Sequence, residues 1–143
     1  MRIHISLPAT NLEQSEVFYE KLFGRPASKR RQDYLNFRLD QPPIHLALVK
    51  QTTAQAAVGG HFGIELADAE SLMDWQTRLQ LSRLDYEPEP GAQCCYATGD
   101  KLWLVDPDGY RWEIWHRTGD FDALNDVPAD QTKETAAETR CCG

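Results

Sequence analysis

The sequence predicts an α+β domain made of two copies of one βαβββ unit. Three observations carry that prediction. The stretch His4-Ile5-Ser6-Leu7 matches His61-Phe62-Gly63-Ile64, and the same 57-residue shift puts Asn11 on Asp68, Glu13 on Glu70, Phe18 on Trp75 and Leu22 on Leu79. Each copy reads as a short alternating strand, a polar cap and an apolar helix face. Strong turn signals then punctuate the rest, with Gly59-Gly60 marking the junction of the halves.

The first strand spans Ile3 to Leu7, with His4 and Ser6 on one face and Ile3, Ile5 and Leu7 on the other. A helix then starts at Asn11, whose side chain suits the N-cap, with Glu13 and Glu16 near the positive end of the dipole. Its apolar face is Leu12, Val17 or Phe18, Leu22 and Phe23, and Gly24 and Pro26 stop it. Strands are expected at 27–31, 34–39 and 44–50. The second copy opens with a strand from His61 to Leu66 and a helix from Asp68 to near Ser82, striped by Leu72, Trp75 and Leu79. Strand segments follow at 84–88, about 93–97, 101–105 and 110–116. Asp106-Pro107-Asp108-Gly109 forms the turn before the last of these. The domain is expected over 1–117, with modules 1–57 and 58–117. Residues 118–143 read as a flexible acidic tail ending in the pair Cys141-Cys142.

Composition narrows the function. The 143 residues are 41% hydrophobic, with four Trp, five Tyr and five Phe, enough to fill a core. A formal net charge of −7 argues against nucleic acid or an anionic membrane as partner. The short basic run Lys29-Arg30-Arg31 reads as a solvated hairpin edge. No apolar run is long enough to span a bilayer, and the N-terminus lacks a signal-peptide core, so a cytoplasmic location with free thiols is expected. The cysteines come as Cys94-Cys95 and Cys141-Cys142. A bridge within an adjacent pair is strained, so neither reads as a structural staple.

Both opening strands carry a histidine on the face opposite the helix-packed side. On the last strand, Glu113 lies between Trp112 and Ile114, with Trp115 beyond. A carboxylate amid aromatics needs a cation or hydrogen-bond donors. Two imidazoles and one carboxylate converging on one face suit Fe(II) or a similar divalent ion, so His4, His61 and Glu113 are the candidate metal ligands and the candidate catalytic centre. His45 is a further candidate of lower rank, and His116 reads as surface. The thiols of Cys94 and Cys95, on a loop between Gly91 and Gly99, suit a soft acceptor such as Cd(II), Hg(II), Zn(II) or trivalent arsenic. They read equally as two small, partly buried hydrophobes.

These residues resemble the glyoxalase, bleomycin-resistance and extradiol-dioxygenase superfamily, the vicinal oxygen chelate proteins, over residues 1 to about 117. More narrowly, Cys94-Cys95-Tyr96-Ala97, Asp100-Lys101, Trp103, Asp106-Pro107-Asp108-Gly109 and Trp112-Glu113 are similar to the ArsI/CadI family, and Phe18-Tyr19, Leu22-Phe23-Gly24 and Asp33-Tyr34 fit its first half. The resemblance implies a vicinal-oxygen-chelate cup and a non-haem Fe(II), O2-dependent carbon–arsenic lyase that releases arsenite from methylarsenite and aromatic arsenicals. It implies His4, His61 and Glu113 on iron, and Cys94 and Cys95 on the trivalent arsenic of the substrate. A cadmium-binding protein and a glyoxalase-like lyase or drug-binding protein are the alternatives. The role of Lys101, and whether the cup forms within one chain or across a homodimer, stay open at this point.

Overall fold

In the computed structural model, residues 1–54, 60–94 and 97–120 are described, apart from the side chain of Cys94. Each helix begins where the sequence supplies an oxygen for its first free amides. Asn11, with extended backbone, accepts from the amides of Glu13 and Gln14 at 3.1 Å, and Asp68 accepts from Ser71 at 2.7 Å. These caps open α1 (Leu12–Phe23) and α2 (Ala69–Ser82). Gly24 closes α1 in the left-handed region at φ 65°. The inner face of α1 is Leu12, Ser15, Phe18, Tyr19, Leu22 and Phe23. Phe18 takes the place contested with Val17, which is 52% exposed.

Two four-stranded sheets follow the predicted duplication. The first holds β1 (Ile3–Ala9), β2 (Lys29–Arg30), β3 (Tyr34–Arg38) and β4 (Ile44–Lys50) in the order β1-β4-β3-β2. The second holds β5 (Phe62–Leu66), β6 (Glu87–Cys94), β7 (Ala97–Val105) and β8 (Arg111–Asp120) in the order β5-β8-β7-β6. In both, the first strand pairs in parallel with the last and the other pairings are antiparallel.

The four strand segments expected after α2 are three strands. Segments 84–88 and 93–97 give way to one strand, β6, which the chain continues through Pro88 and Pro90. The strain of that passage falls on Gly91, at φ 63°, and on a register shift between Glu89 and Ala92. At the other end, β8 runs to Asp120, past the expected domain limit at 117. Residues 121–143, including Cys141 and Cys142, lie outside the described residues.

One core joins the halves. Tyr19 and Leu22 of α1, Phe37 of β3, and Trp112 and Ile114 of β8 are buried to 1% exposure or less. Burying a large apolar side chain of this kind contributes about 1.5–3 kcal/mol. Tyr19 is the polar link within it. Its hydroxyl donates to Asp106 Oδ2 at 2.7 Å and accepts from Trp112 Nε1 at 3.2 Å. Burial, then the Asp106 charge, pushes the Tyr19 pKa well above its ordinary value, so the hydroxyl keeps its proton. Asp106 in turn accepts from the amides of Asp108 and Tyr110, which fixes the predicted turn, and Gly109 enters it at φ 90°.

Contacts at both ends align the sheet edges. Thr10, just after β1, donates to Asp108, just before β8. At the other end of β1, Ile3 bonds Pro43, and the adjoining Gln41-Pro42 turn shares a cavity with Ile64 to Ala67 at the end of β5. The edge strands β1 and β5 thus run in opposite directions along the junction of the modules.

Candidate metal centre

The parallel pairing of β5 and β8 sets Phe62 beside Trp112 and Gly63 beside Glu113. Because side chains alternate along a strand, Trp112 and Ile114 enter the core while Glu113 leaves on the opposite face. Glu113 is nonetheless only 7% exposed. A carboxylate so enclosed requires partners, and it has two. His61, the residue before β5, brings Nε2 to 3.3 Å from Glu113 Oε1, and Lys101 on β7 brings Nζ to 3.0 Å from Oε2.

Gly63 makes the arrangement possible. A Cβ there would stand 2.7 Å from Glu113 Oε1, so the bare backbone is the cradle in which the carboxylate lies. The His61 ring meets Trp103 edge-on at 5.1 Å, and the Lys101 ammonium lies 5.3 and 5.5 Å from the rings of Trp103 and Trp115. A cavity of about 240 Å³ is lined by His61, Lys101, Glu113 and Trp115 together with the small residues Ala92, Ala97 and Gly99. A Cβ at Gly99 would fall 2.5 Å from the His116 carbonyl oxygen, so the bare position also lets β7 approach β8.

The other predicted residues fall as follows. His4 lies on β1 opposite His45 of β4, and the two rings stack with centroids 4.5 Å apart and 17° between planes. Asn36 Nδ2 donates to His45 Nε2 at 3.3 Å and to the Tyr34 hydroxyl at 2.9 Å. Desolvation, then His4, Arg38 and Arg2, hold the His45 pKa below its ordinary value. The structure therefore joins His61 to Glu113 and joins His4 to His45. Among the described residues, no three His, Cys, Asp or Glu side chains gather within metal-binding range.

His116 is not the surface residue expected. It lies inside the long β8, paired with Leu66 and Asp100, and its Nδ1 is buried without a partner. Cys94 ends β6 with its backbone paired to Ala97. Its side chain and Cys95 lie outside the described residues. Ala92 of β6 and Ala97 of β7 line the cavity. Lys101 is the functional residue that sequence reasoning left without a role. Its signal was a cation set among Leu102, Trp103 and Leu104, one strand before a carboxylate in need of one.

Comparison with known proteins completes the picture. The model of the Glyoxalase/Bleomycin resistance protein/Dioxygenase superfamily matches residues 3–114. The trivalent organoarsenical cleaving enzyme of Thermomonospora curvata is 37% identical over 123 residues, covering 86% of this chain and 82% of that protein. The cadmium-induced protein CadI of Mycobacterium tuberculosis is 30% identical over 141 residues, covering 99% and 92%. A crystal structure of a glyoxalase/bleomycin resistance protein/dioxygenase from Alicyclobacillus acidocaldarius superposes with a TM-score of 0.67 at 15% identity, over 82% of this chain and 92% of that one, a likeness of fold alone. With the family match spanning both copies of the βαβββ unit, this chain belongs to the Glyoxalase/Bleomycin resistance protein/Dioxygenase superfamily.

Proposed function

We propose that the protein is a non-haem Fe(II)-dependent carbon–arsenic lyase that degrades trivalent organoarsenicals such as methylarsenite to arsenite in the cytoplasm. The observation that carries this reading is the His61–Glu113 pair on the wall of a cavity, its carboxylate buried and also paired with a cation, Lys101. That donor set fits a divalent ion: one imidazole nitrogen and one desolvated carboxylate oxygen stand 3.3 Å apart, in a cradle that Gly63 leaves free. His61 and Glu113 would hold the iron. His4, on the edge strand across the junction, would supply the third ligand in exchange for its stack on His45. When bound, the iron supplies the redox chemistry with O2 that cleaves the carbon–arsenic bond.

The chain's own residues do the rest. Cys94 and Cys95 bind the trivalent arsenic as thiolates, and the second thiolate binds at high effective concentration once the first has bound. The cavity beside Ala92, Ala97 and Gly99 receives the organic group, so that proximity supplies much of the rate. Lys101 holds the Glu113 carboxylate in place through its ion pair. The relatives named as organoarsenical cleaving enzymes support the substrate class.

The test is arsenite release and oxygen uptake by Fe(II)-loaded protein given methylarsenite in air. Activity that disappears in Glu113→Ala is expected. An absence of arsenite, or Cys94→Ser equal to the unaltered protein, rejects the reading. One observation favours a second reading, storage of a soft cation by the thiol pairs: the match to CadI covers 141 residues, where the match to the Thermomonospora curvata enzyme covers 123. Tight Cd(II) binding without Fe(II)-dependent turnover would establish that reading instead. Turnover of the methylglyoxal–glutathione adduct that survives loss of Cys94 and Cys95 would establish a glyoxalase-like lyase.

A further inference from the structure

The other end of β5 holds a group that the metal centre does not use. Arg78 of α2 is half-buried, and two of its guanidinium nitrogens, Nε and Nη2, are buried without a hydrogen-bond partner. Buried donors are almost always satisfied, so a pair left open on one side chain calls for an absent acceptor. The group is also held in place. Its Cζ stacks 3.8 Å over the Trp75 ring, and its Cδ packs so close to Gly24 that a Cβ there would lie 2.9 Å away. Arg78 lines a cavity of about 370 Å³ at the junction of the modules, together with Phe23, Ile64, Trp75 and the Gln41-Pro42 turn.

We propose that this cavity is a second ligand site, separate from the metal centre, which takes a small monocarboxylate with an apolar body. Nε and Nη2 form the side-on edge of the guanidinium, the two-donor fork that matches a planar carboxylate in bidentate fashion. Phe23, Ile64 and Trp75 offer the apolar walls. Two acidic residues set the charge of the ligand: Asp74 acts on Arg78 from one turn earlier, and Glu65 lines the cavity, yet neither forms an ion pair with it. A single guanidinium with carboxylates nearby suits a monoanion and disfavours a phosphate dianion. The two cavities have no lining residue in common: His61 of the metal centre precedes β5, whereas Ile64 to Ala67 lie toward and past its far end.

The experiment is titration of the full chain, without added metal, with benzoate, benzamide and phenylphosphate, read by calorimetry and by thermal denaturation. Benzoate is expected to bind and raise the melting temperature, with benzamide at least tenfold weaker. Arg78→Met should abolish benzoate binding, and Arg78→Lys, which keeps the charge but loses the fork, should weaken it about tenfold. Arg78→Met should also melt no lower than the unaltered protein in the absence of ligand, because it removes donors that nothing satisfies. A lower melting temperature for that variant, with no benzoate binding by the unaltered chain, makes Arg78 a structural residue and overturns the proposal. Benzamide equal to benzoate overturns it, as does tighter binding of phenylphosphate. None of these outcomes depends on iron or arsenic.

Discussion

The two halves share a topology but not a chemistry, and the difference falls at three corresponding places. In the first sheet, Ser6 pairs with Ala47, and Tyr34 pairs with Val49 two residues further along β4. In the second, the corresponding positions are Gly63 beside Glu113, and Lys101 beside Trp115. A carboxylate has entered where the first half keeps a methyl group, a side chain has been removed to give it room, and a cation has replaced a phenol to balance it. The first half keeps two stacked imidazoles, an amide and a hydroxyl in its place. Duplication thus supplies two equivalent platforms, and a buried charge becomes tenable on one of them only when three positions change together.

The contrast can be broken most forcefully from the charge itself. Glu113→Gln leaves Lys101 buried beside a neutral amide, which should cost about 3–5 kcal/mol of stability in denaturant unfolding. It should also lower Fe(II) affinity roughly 100-fold in a metal-binding titration. The mirror change, Ala47→Glu, places a carboxylate on the first platform, where Tyr34 stands in the position of Lys101, and should be destabilising by about 3 kcal/mol. If it is tolerated, the first half already contains a hidden counter-charge.

A smaller effect is expected from the cradle. Gly63→Ala puts a methyl group against Glu113 Oε1 and should cost about 1–3 kcal/mol, with metal affinity reduced about tenfold. Ser6→Ala, at the matching exposed position, should change stability by no more than ~0.5 kcal/mol. Histidine changes sharpen the same comparison. His4→Ala should weaken Fe(II) binding as His61→Ala does, while His45→Ala should leave it nearly unchanged. If His4→Ala behaves like His45→Ala, the imidazoles of the first platform stand apart from the metal.

Asp106 gives a pH test at the link between the halves. Burial raises its folded pKa above 3.8, although its hydrogen bonds oppose the shift. A folded pKa above the unfolded one means that the folded state binds the proton more tightly. The contribution is therefore complete below the ordinary carboxylate range and is lost as pH rises through the raised value. Asp106→Asn should flatten that part of the stability–pH curve, measured by urea unfolding from pH 3 upward. A small effect is also expected at the caps. Asn11→Ala and Asp68→Ala should each cost about 1 kcal/mol, with Asn11 the larger because it serves two amides to the one served by Asp68.

What the sequence made legible was local or repeated. Asn11, Asp68 and Gly24 cap the helices as their chemistry requires, and the 57-residue repeat located both sheets. The need of Glu113 for a cation was legible from its aromatic neighbours. Its supplier was not, because Lys101 meets Glu113 only through the register of β7 on β8, which no local pattern encodes. The stack of His4 on His45 has the same origin in the parallel pairing of β1 with β4. Strand limits in the second half were misread because Pro88, Pro90 and Gly91 look like a break. A bulge instead carries β6 through them, and β8 outlasts its hydrophobic pattern by pairing its polar end with β7.

The hydrogen-bonded trio of Tyr19, Asp106 and Trp112 has a consequence for how such a doubled chain comes apart. It ties the helix of one copy to the hairpin bend and final strand of the other through buried hydrogen bonds. Peeling one copy away strands those groups, so no half-melted species gains a foothold, and heating should give a single sharp transition in which ancestral twins surrender together.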